Sequence, residues 1–265
     1  MNNDKQKRIQ IFEDTLKQIE TIETLKNATK YSKEHTILYN EDFNYELFEI
    51  PNRQGNVRVI NSRTFNVSKG LENVAVLNFA SATNPGGGVK NGSAAQEECL
   101  CRCSTLYPCL KSNFLMDNFY NYHKNRHNTF YTDRIIYSKD VVVFKKDIQE
   151  PILDKESKWF KVNIITSPAP NIRDMKNVNQ NELLEIFKSR IEKILKVAII
   201  NGNTNIVLGA FGCGAFRNPP HLVARAYQEV ITKYRNYFDN IIFAILVTPN
   251  FGGDENYKTF SRMLK

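Results

Sequence analysis

The chain has 265 residues, an ordinary hydrophobic content for a globular protein, and a formal net charge of +8. No stretch approaches the roughly 20 uninterrupted apolar residues of a membrane helix, and the charged N-terminus lacks the apolar core of a signal peptide. We therefore expect a cytoplasmic protein without membrane association. The basic balance favours an anionic partner, although an ordinary solvated surface carries the same charge.

The N-terminal part of the chain is predicted to be helical. Apolar residues recur at three- and four-residue steps among charged ones, which predicts an amphipathic helix from Asp4 to about Asn27. These apolar residues are Ile9, Phe12, Leu16, Ile19 and Ile22. Three short pieces between residues 35 and 65 have the composition of strands: HTILY, YELFEI and NVRVI.

From residue 74 onwards, apolar runs alternate with amphipathic helices. The continuous apolar run from Val74 to Ala80 predicts a strand buried on both faces. One or two strands are predicted in DRIIYSKDVVVFKK, and further strands in VNIITSPA, NIVLGAF and NIIFAILVTP. Helices are predicted in NELLEIFKSRIEKILKVAIING, which Gly202 stops, and in PPHLVARAYQEVITKYRNYF. This alternation indicates an α/β domain with a parallel or mixed sheet, whose ligands bind at the carboxyl ends of strands.

A glycine loop, SATNPGGGVKNGS, follows the strand that ends at Ala80. Its glycine triplet, Gly86–Gly88, allows positive φ and lets backbone N–H groups approach a ligand. Ser93 and Gln96 match a capping box, which predicts a helix that starts at Ser93 and runs to about Leu106, where Pro108 ends it.

Two adjacent glutamates, Glu97 and Glu98, fall in the first or second turn of that predicted helix. Consecutive helix residues point about 100° apart, so we expect the two carboxylates to divide their roles, one holding sugar hydroxyls and the other moving a proton. The alternative is that acidic residues are simply favoured at a helix N-terminus by its dipole. The strand and glycine loop directly upstream favour a functional site.

A second glycine loop, GCGAFRNPP, follows the strand predicted at residues 206–211. Asn218 is the predicted N-cap of the next helix and Pro219 its first residue, so the loop forms an anion cradle at a helix N-terminus. Its spacing is neither that of a P-loop nor that of a Rossmann dinucleotide site. The two loops together predict a phosphate or diphosphate held between them, with Phe211 or Phe216 either lining the groove or packing in the core.

Four of the five cysteines crowd into CLCRCSTLYPC. A total of five cysteines is an odd number and does not resemble a secreted disulfide framework. On a helix, the two-residue spacing would direct the side chain of Cys101 away from those of Cys99 and Cys103. We therefore interpret them as small buried helix residues rather than as a zinc site, and we expect no metal and no cofactor.

The combination of LNFASATNPGGG, a seven-residue gap and QEECLCRCSTLY resembles the bacterial-type poly(ADP-ribose) glycohydrolases, a macrodomain family. Further matches are YTDRIIYSKDVVVF, NIITSPAPN, LGAFGCGAFRNPP and IIFAIL. The resemblance implies a three-layer α/β/α sandwich with a mixed central sheet. It further implies an N-terminal helical accessory region in residues 1–62, packed on a catalytic core in residues 63–265. We expect the protein to be a monomer.

The same resemblance implies the reaction and its residues. Poly(ADP-ribose) or ADP-ribosylated protein would be the substrate, its ribose–ribose bond would be hydrolysed, and ADP-ribose would be released. Glu98 would be the catalytic acid and base, and Glu97 would hold ribose hydroxyls. The residues implied to bind ADP-ribose are Asn84, Gly86, Gly87, Gly88, Gln96, Gly212, Cys213, Gly214, Ala215 and Phe216. Phe251, Asn256 or Tyr257 would contact the adenine.

Two alternatives remain at this point. One is a hydrolase of mono-ADP-ribosylated protein or nucleic acid, which needs the same ADP-ribose cradle. The other is a module that binds ADP-ribose without cleaving it. The intact Glu97–Glu98 pair argues against the binding module, because such a module needs the loops but not the acid.

Overall fold

In the computed structural model, which describes residues 2–43, 45–47, 49, 51, 53–247 and 253–264, the strands form one mixed seven-stranded sheet. They are β1 (Thr36–Tyr39), β2 (Asn56–Ile60), β3 (Val74–Phe79), β4 (Ile135–Val143), β5 (Phe160–Ser167), β6 (Asn205–Leu208) and β7 (Asn240–Ala244). Their order is β1-β4-β5-β3-β6-β7-β2. The pairs β1–β4 and β4–β5 are antiparallel, and the remaining neighbours are parallel.

Helices cover both faces of the sheet. Among the described residues they are α1 (Asn2–Thr21), α2 (Glu23–Glu34), α3 (Thr64–Ser68), α4 (Gln96–Cys103), α5 (Leu106–Leu110), α6 (Asn113–Leu115), α7 (Tyr122–Asn125), α8 (Gln180–Ile200), α9 (Pro220–Tyr234) and α10 (Gly253–Met263). Short 3-10 segments lie at Val89–Asn91, Glu156–Lys158 and Arg235–Tyr237, and a π-helical segment lies at Met116–Asn121. None of the helices in the described ranges is long and apolar enough to cross a bilayer.

The position of β3 in the middle of the sheet explains why its sequence is apolar on both faces rather than alternating between apolar and polar residues. Ala75 and Leu77 face the core that α8, α9 and α10 cover, whereas Val74 and Val76 face the core under α1, α3, α4 and α5. Because successive strand residues point to opposite faces, a strand covered on both sides needs apolar residues at every position. Full burial of each Val or Leu side chain contributes about 1.5–3 kcal/mol. The predicted three-layer α/β/α sandwich with a mixed sheet is confirmed.

The N-terminal segment forms two helices rather than the single predicted one. Ile22 has extended backbone angles, φ −91° and ψ 114°, and it separates α1 from α2. Thr15 Oγ1 of α1 donates to the carbonyl of Arg102 at 2.8 Å, and Lys145 Nζ donates to Asp14 Oδ2 at 2.7 Å. The first 62 residues also supply β1 and β2, which are the two edge strands of the sheet.

Most of the predicted strands are present, with two differences. YELFEI forms no strand at its described residues 45–47 and 49. DRIIYSKDVVVFKK forms one strand, β4, whose pairing with β5 shifts register between Ser138 and Val141. Asp140 adopts a φ of 54° at this bulge and its N–H donates to Asn163 Oδ1 at 3.0 Å. The sequence predicts either one or two strands in this segment, and the structure shows a single strand that is interrupted by a bulge.

Candidate active site

The glycine triplet lies in the loop after β3. Gly86 and Gly87 have φ values of 70° and 59°, as expected, whereas Gly88 has a φ of −96° and does not need to be glycine for its backbone angles. A Cβ atom on Gly87 would lie 2.6 Å from Oε1 of Glu98 and 3.0 Å from Oε2 of Glu97. The missing side chain of Gly87 is what allows both carboxylates to approach the loop.

The start of α4 differs from the predicted capping box. Its N-cap is Ala95, without a side-chain cap, and Ser93 instead donates its N–H to the carbonyl of Gly88 at 3.1 Å. The Gln96 side chain reaches β3, where Oε1 accepts from the N–H of Phe79 at 2.9 Å and Nε2 donates to the carbonyl of Leu77 at 2.8 Å. The capping prediction was wrong because Gln96 pairs with the strand, and this pairing fixes the helix start to the end of β3.

The predicted end of the helix was wrong as well. The helix α4 ends at Cys103, Ser104 forms a bridge with Val143, and α5 follows. Pro108 is the third residue of α5, not the end of α4. Proline is tolerated there because the first turn of a helix does not use its N–H groups.

Glu97 is 2% exposed and its carboxylate is directed to the end of β3. The N–H of Ser81 donates to Oε2 at 2.7 Å, and Asn78 Nδ2 donates to Oε1 at 3.3 Å. Burial raises the pKa of Glu97 to about 8, aided by the charge of Glu98, although the N–H donors of Ser81, Asn78 and Gly86 act in the opposite direction. Burial therefore favours the protonated form of Glu97.

Glu98 is 6% exposed and is held by the glycine loop rather than by the strand. Its Oε1 accepts from the N–H of Gly88 at 2.9 Å. Its Oε2 is buried and has no hydrogen-bond partner among the described residues. The two glutamates thus lie side by side next to Gly87 but use different backbone donors, and Glu98 keeps one oxygen free.

The second glycine loop follows β6, which is the parallel neighbour of β3. The two loops therefore leave the same edge of the sheet next to each other. Gly212 has a φ of 74°, and a Cβ there would lie 2.6 Å from both Ala169 Cβ and Asn218 Nδ2. Around Gly214, an added Cβ would meet none of the described residues within 4 Å. Positive φ and close packing therefore both require glycine at position 212, whereas no neighbour in the described ranges requires it at position 214.

The start of α9 is one residue later than predicted. The N-cap is Pro219 and the first helical residue is Pro220. Asn218 does not cap the helix, because its Nδ2 donates to the carbonyls of Pro170 at 2.7 Å and Gly212 at 2.9 Å. Asn218 therefore ties the loop after β6 to the loop after β5.

The tip of this second loop presents donors for an anion. The backbone N–H groups of Gly214, Ala215 and Phe216 donate no hydrogen bond to any described residue. Arg173 Nε donates to the carbonyl of Ala215 at 2.6 Å and fixes that peptide from the other side. Consecutive N–H groups without acceptors are suited to a phosphate or diphosphate.

The two candidate aromatic residues of this loop differ in environment. Phe211 is fully buried and packs between Phe79 and Phe187, with ring centroids 5.8 Å and 6.0 Å away. Phe216 is half-buried and lies 6.4 Å from the ring of Tyr131. Phe211 is a core residue, and Phe216 is the aromatic side chain of the loop that a ligand can reach.

The remaining candidates lie at the rim or within helices. Asn84 is exposed, and its Nδ2 donates to Thr83 Oγ1 at 3.1 Å. Cys213 follows Gly212, and burial raises the pKa of its thiol. Asn256 is buried and Tyr257 half-buried on α10, while Phe251 lies outside the described residues.

The cysteines after the two glutamates are free thiols in the part of the chain that the structure describes. Cys101, Cys103 and Cys109 are buried in α4 and α5. Burial, together with the charges of Glu97 and Glu98, raises the pKa of Cys101. Cys101, Cys103 and Cys109 are therefore small buried helix residues, as the sequence predicts, whereas Cys99 is half-buried.

Sequence reasoning missed three residues that shape the site. Asn78 and Ser81 hold Glu97, and the ring of Tyr107 supports the glycine loop, since an added Cβ on Gly86 would lie 2.7 Å from Tyr107 Cδ2. Asn78 could have been found, because it is a polar residue within the apolar run of a buried strand. Ser81 and Tyr107 carry no such signal.

Comparison with known proteins identifies similar sequences and folds. A family model described as the catalytic domain of microbial-type PARG matches residues 6–146. The poly(ADP-ribose) glycohydrolase of Thermomonospora curvata is 29% identical with a TM-score of 0.79, covering 97% of this chain and 98% of that one. The same enzyme has been solved with the inhibitor ADP-HPD, at a TM-score of 0.78 and 29% identity, covering 96% and 98% of the two chains.

The glycohydrolase of Deinococcus radiodurans in complex with ADP-ribose is 31% identical with a TM-score of 0.77, covering 89% of this chain and 96% of that one. No curated protein sequence matches the chain.

Proposed function

Because the chain belongs to the microbial-type poly(ADP-ribose) glycohydrolase family, we propose that Glu98 is the general acid and base of its reaction. The enzyme hydrolyses the ribose–ribose glycosidic bond of poly(ADP-ribose) and releases ADP-ribose. Cleavage through an oxocarbenium-like state needs a proton on the leaving oxygen and then an activated water. One carboxyl group supplies both steps, first as acid and then as base.

The observation that carries this assignment is the free oxygen of Glu98. Oε1 is fixed by the N–H of Gly88, while Oε2 has no partner among the described residues. A buried carboxyl oxygen without a partner is costly unless a ligand or water engages it. Glu97 has no comparable free oxygen, because Asn78 and Ser81 occupy both of its oxygens.

A second candidate role concerns Glu97. A general acid needs a raised pKa, and burial raises the pKa of Glu97 to about 8. In its neutral form, Glu97 either binds the ribose hydroxyls beside the scissile bond or carries the proton that is transferred to the leaving oxygen and later recovered from the attacking water. The first role leaves Glu98 as the proton donor to the leaving oxygen, whereas the second gives that step to Glu97.

The loops supply the binding energy in this proposal. The N–H groups of Gly214, Ala215 and Phe216, with Gly212 and Cys213 in the same turn, bind the diphosphate. Gly86, Gly87 and Gly88 pack against the distal ribose, with Asn84 at the rim, and Phe216 covers the sugar. Gln96 acts by positioning, since both ends of its amide are engaged by β3. A fixed diphosphate orients the sugar and so lowers the barrier.

The test compares wild-type protein with Glu98→Gln on poly(ADP-ribose), following release of ADP-ribose. We expect kcat to fall by about 10²–10⁴-fold, while the Kd of ADP-ribose stays within a few-fold because the substitution is nearly isosteric. The matched control is Glu182→Gln, an exposed glutamate in the first turn of α8, which should leave both quantities unchanged. Equal kcat in Glu98→Gln and wild type would remove Glu98 from the mechanism.

A further inference from the structure

Two lysines flank the aromatic ring that supports the glycine loop. Lys90 lies in the 3-10 segment after the triplet and Lys111 directly follows α5. Their Nζ atoms lie 6.0 Å and 5.9 Å from the ring centroid of Tyr107. Both lysines are exposed, and neither has an acidic partner within 4.0 Å among the described residues. Their charges are therefore available to an anionic ligand.

A third cation stabilises the same turn. Arg8 of α1 is half-buried, and its Nε donates to the carbonyl of Gly92 at 2.6 Å. This contact fixes the end of the segment that carries Lys90. The positive charge at this place thus comes from α1, the glycine loop and the residue after α5.

Tyr107, which the two lysines flank, packs in the core under α1, α3, α4 and α5, whereas Cys213 and Phe216 of the diphosphate cradle pack against the opposite core. The cradle, residues 212–216, rests on the loop after β5, through Asn218 and Arg173. The glycine triplet contacts Glu98 through Gly88 and rests on Tyr107 through Gly86. The glycine triplet therefore borders both Glu98, where the scissile bond is proposed to lie, and the ring of Tyr107 that the two lysines flank.

The chemical structure of the polymer defines the group on the leaving side of the scissile bond. The leaving oxygen is the 2′-oxygen of the adenosine ribose in the next ADP-ribose unit, and that unit carries its own diphosphate. A mono-ADP-ribosyl group on a protein side chain has no phosphate on the leaving side. Positive charge at this position therefore discriminates between the two kinds of substrate.

We propose that Lys90 and Lys111 form a subsite for the diphosphate of the leaving ADP-ribose unit, which adds affinity for the polymer beyond the affinity for ADP-ribose itself. This inference rests on the proposed function of Glu98, since it places the scissile bond there. Exposed lysine–phosphate contacts are individually weak and are screened by salt. Their effect must therefore appear as a salt-dependent preference for the polymer over ADP-ribose alone.

The experiment measures binding in the Glu98→Gln background, with a short poly(ADP-ribose) of defined length and with ADP-ribose as the two probes. Replacing both lysines by Ala should weaken polymer binding about tenfold at low salt and leave the Kd of ADP-ribose within about twofold. The slope of log Kd for the polymer against log salt should fall by about 1.4, as expected for the loss of two phosphate contacts on a single strand. Replacing both by Arg should preserve polymer binding.

The matched control is the double variant Lys26→Ala and Lys30→Ala on α2, two exposed lysines that remove the same net charge. The subsite is refuted if this control weakens polymer binding equally, or if the affinity for ADP-ribose falls in parallel with that for the polymer. Unchanged polymer affinity in the Lys90/Lys111 variant means that the two lysines are merely solvated. Degradation of the polymer by Glu98→Gln would instead contradict the proposed role of Glu98, so the two failures are distinguishable.

Discussion

The backbone N–H of Gly88 donates a 2.9 Å hydrogen bond to Oε1 of Glu98. The glycine loop that is proposed to receive the sugar therefore also holds the proposed acid. A change in the loop backbone at Gly88 therefore moves the carboxylate of Glu98, and in the proposed complex the sugar packs against the same loop. The adjacent Gly87 is the most sensitive test of this coupling.

Gly87→Ala should abolish most of the activity. The new Cβ would lie 2.6 Å from Glu98 Oε1 and 3.0 Å from Glu97 Oε2, and the φ of 59° is itself strained for alanine. We expect kcat to fall by at least about 100-fold, because a displacement of about 1 Å is enough to disturb a catalytic group by that factor. Steady-state kinetics with poly(ADP-ribose) measures this effect.

The control for backbone strain is Gly202→Ala. Gly202 has a similar φ of 74°, but its added Cβ would meet nothing within 4 Å in the part of the chain that the structure describes. This variant should lose about 1 kcal/mol of stability and keep its kcat. If the two variants lose activity equally, strain rather than contact with the carboxylates explains the loss.

Glu97→Gln should remove a pH dependence of stability. The pKa of Glu97 rises from its ordinary 4.5 to about 8 in the folded protein, so the folded state binds the proton more tightly than the unfolded chain. Its contribution to stability is fully present below pH 4.5 and is lost as the pH rises to about 8, at about 1.4 kcal/mol per pH unit. Urea unfolding between pH 5 and pH 8 should show this loss in wild type, relative to Glu97→Gln.

The same variant separates the two roles proposed for Glu97. Gln keeps the neutral, hydrogen-bonding character of a protonated glutamate, so a residue that only binds ribose hydroxyls should lose about tenfold or less in kcat. A proton donor should lose about 10²–10⁴-fold. If the unfolding free energies of wild type and Glu97→Gln differ by the same amount at every pH, the pKa of Glu97 is not raised in the folded protein.

The elements of this fold could be predicted because their signals are local. The apolar run of β3, the glycines after it and the two glutamates are adjacent in sequence, and their order alone indicates a strand, a loop and an acid. The two caps could not be predicted in the same way. Gln96 pairs with Phe79 and Asn218 pairs with Pro170, and both partners are chosen by tertiary structure.

The N-terminal helix α1 should be needed for activity. Phe12 is 2% exposed, and its ring lies edge-on to Tyr107 with centroids 4.9 Å apart, directly beneath the glycine loop. Phe12→Ala should destabilise the protein by about 3–5 kcal/mol and lower kcat below the melting transition. Phe114→Ala, at a side chain that is 61% exposed, is the matched control and should cost less than about 0.5 kcal/mol.

Thermal unfolding of this variant also tests the division of the chain into residues 1–62 and 63–265. Because α1 packs on the core and β1 and β2 form the sheet edges, we expect a single transition that shifts as a whole. Two separate transitions, with only one of them shifted by Phe12→Ala, would mean that the N-terminal region unfolds independently.

Arg190 of α8 should affect both stability and substrate binding. Its side chain is 2% exposed, forms a 2.9 Å ion pair with Asp133, and donates to the carbonyls of Phe130 at 3.0 Å and Pro168 at 2.8 Å. Arg190→Met leaves these buried acceptors without their donor, which should cost about 3 kcal/mol in urea unfolding. Arg190 holds the carbonyl of Pro168, and the next residue, Ala169, packs closely against Gly212 of the proposed diphosphate cradle. The substitution should therefore weaken substrate binding, so that KM for the polymer rises by a larger factor than kcat falls.

Arg225→Met is the control for this prediction, because Arg225 forms an exposed pair with Glu229 on α9. Its loss should change the free energy of unfolding by less than about 1 kcal/mol, since exposed ion pairs contribute little. If Arg190→Met is as mild as this control, the loop after β5 does not depend on Arg190. If it is destabilised but its KM is unchanged, the position of Gly212 does not depend on Arg190, and the bonds of Asn218 to Pro170 and Gly212 hold it without that arginine.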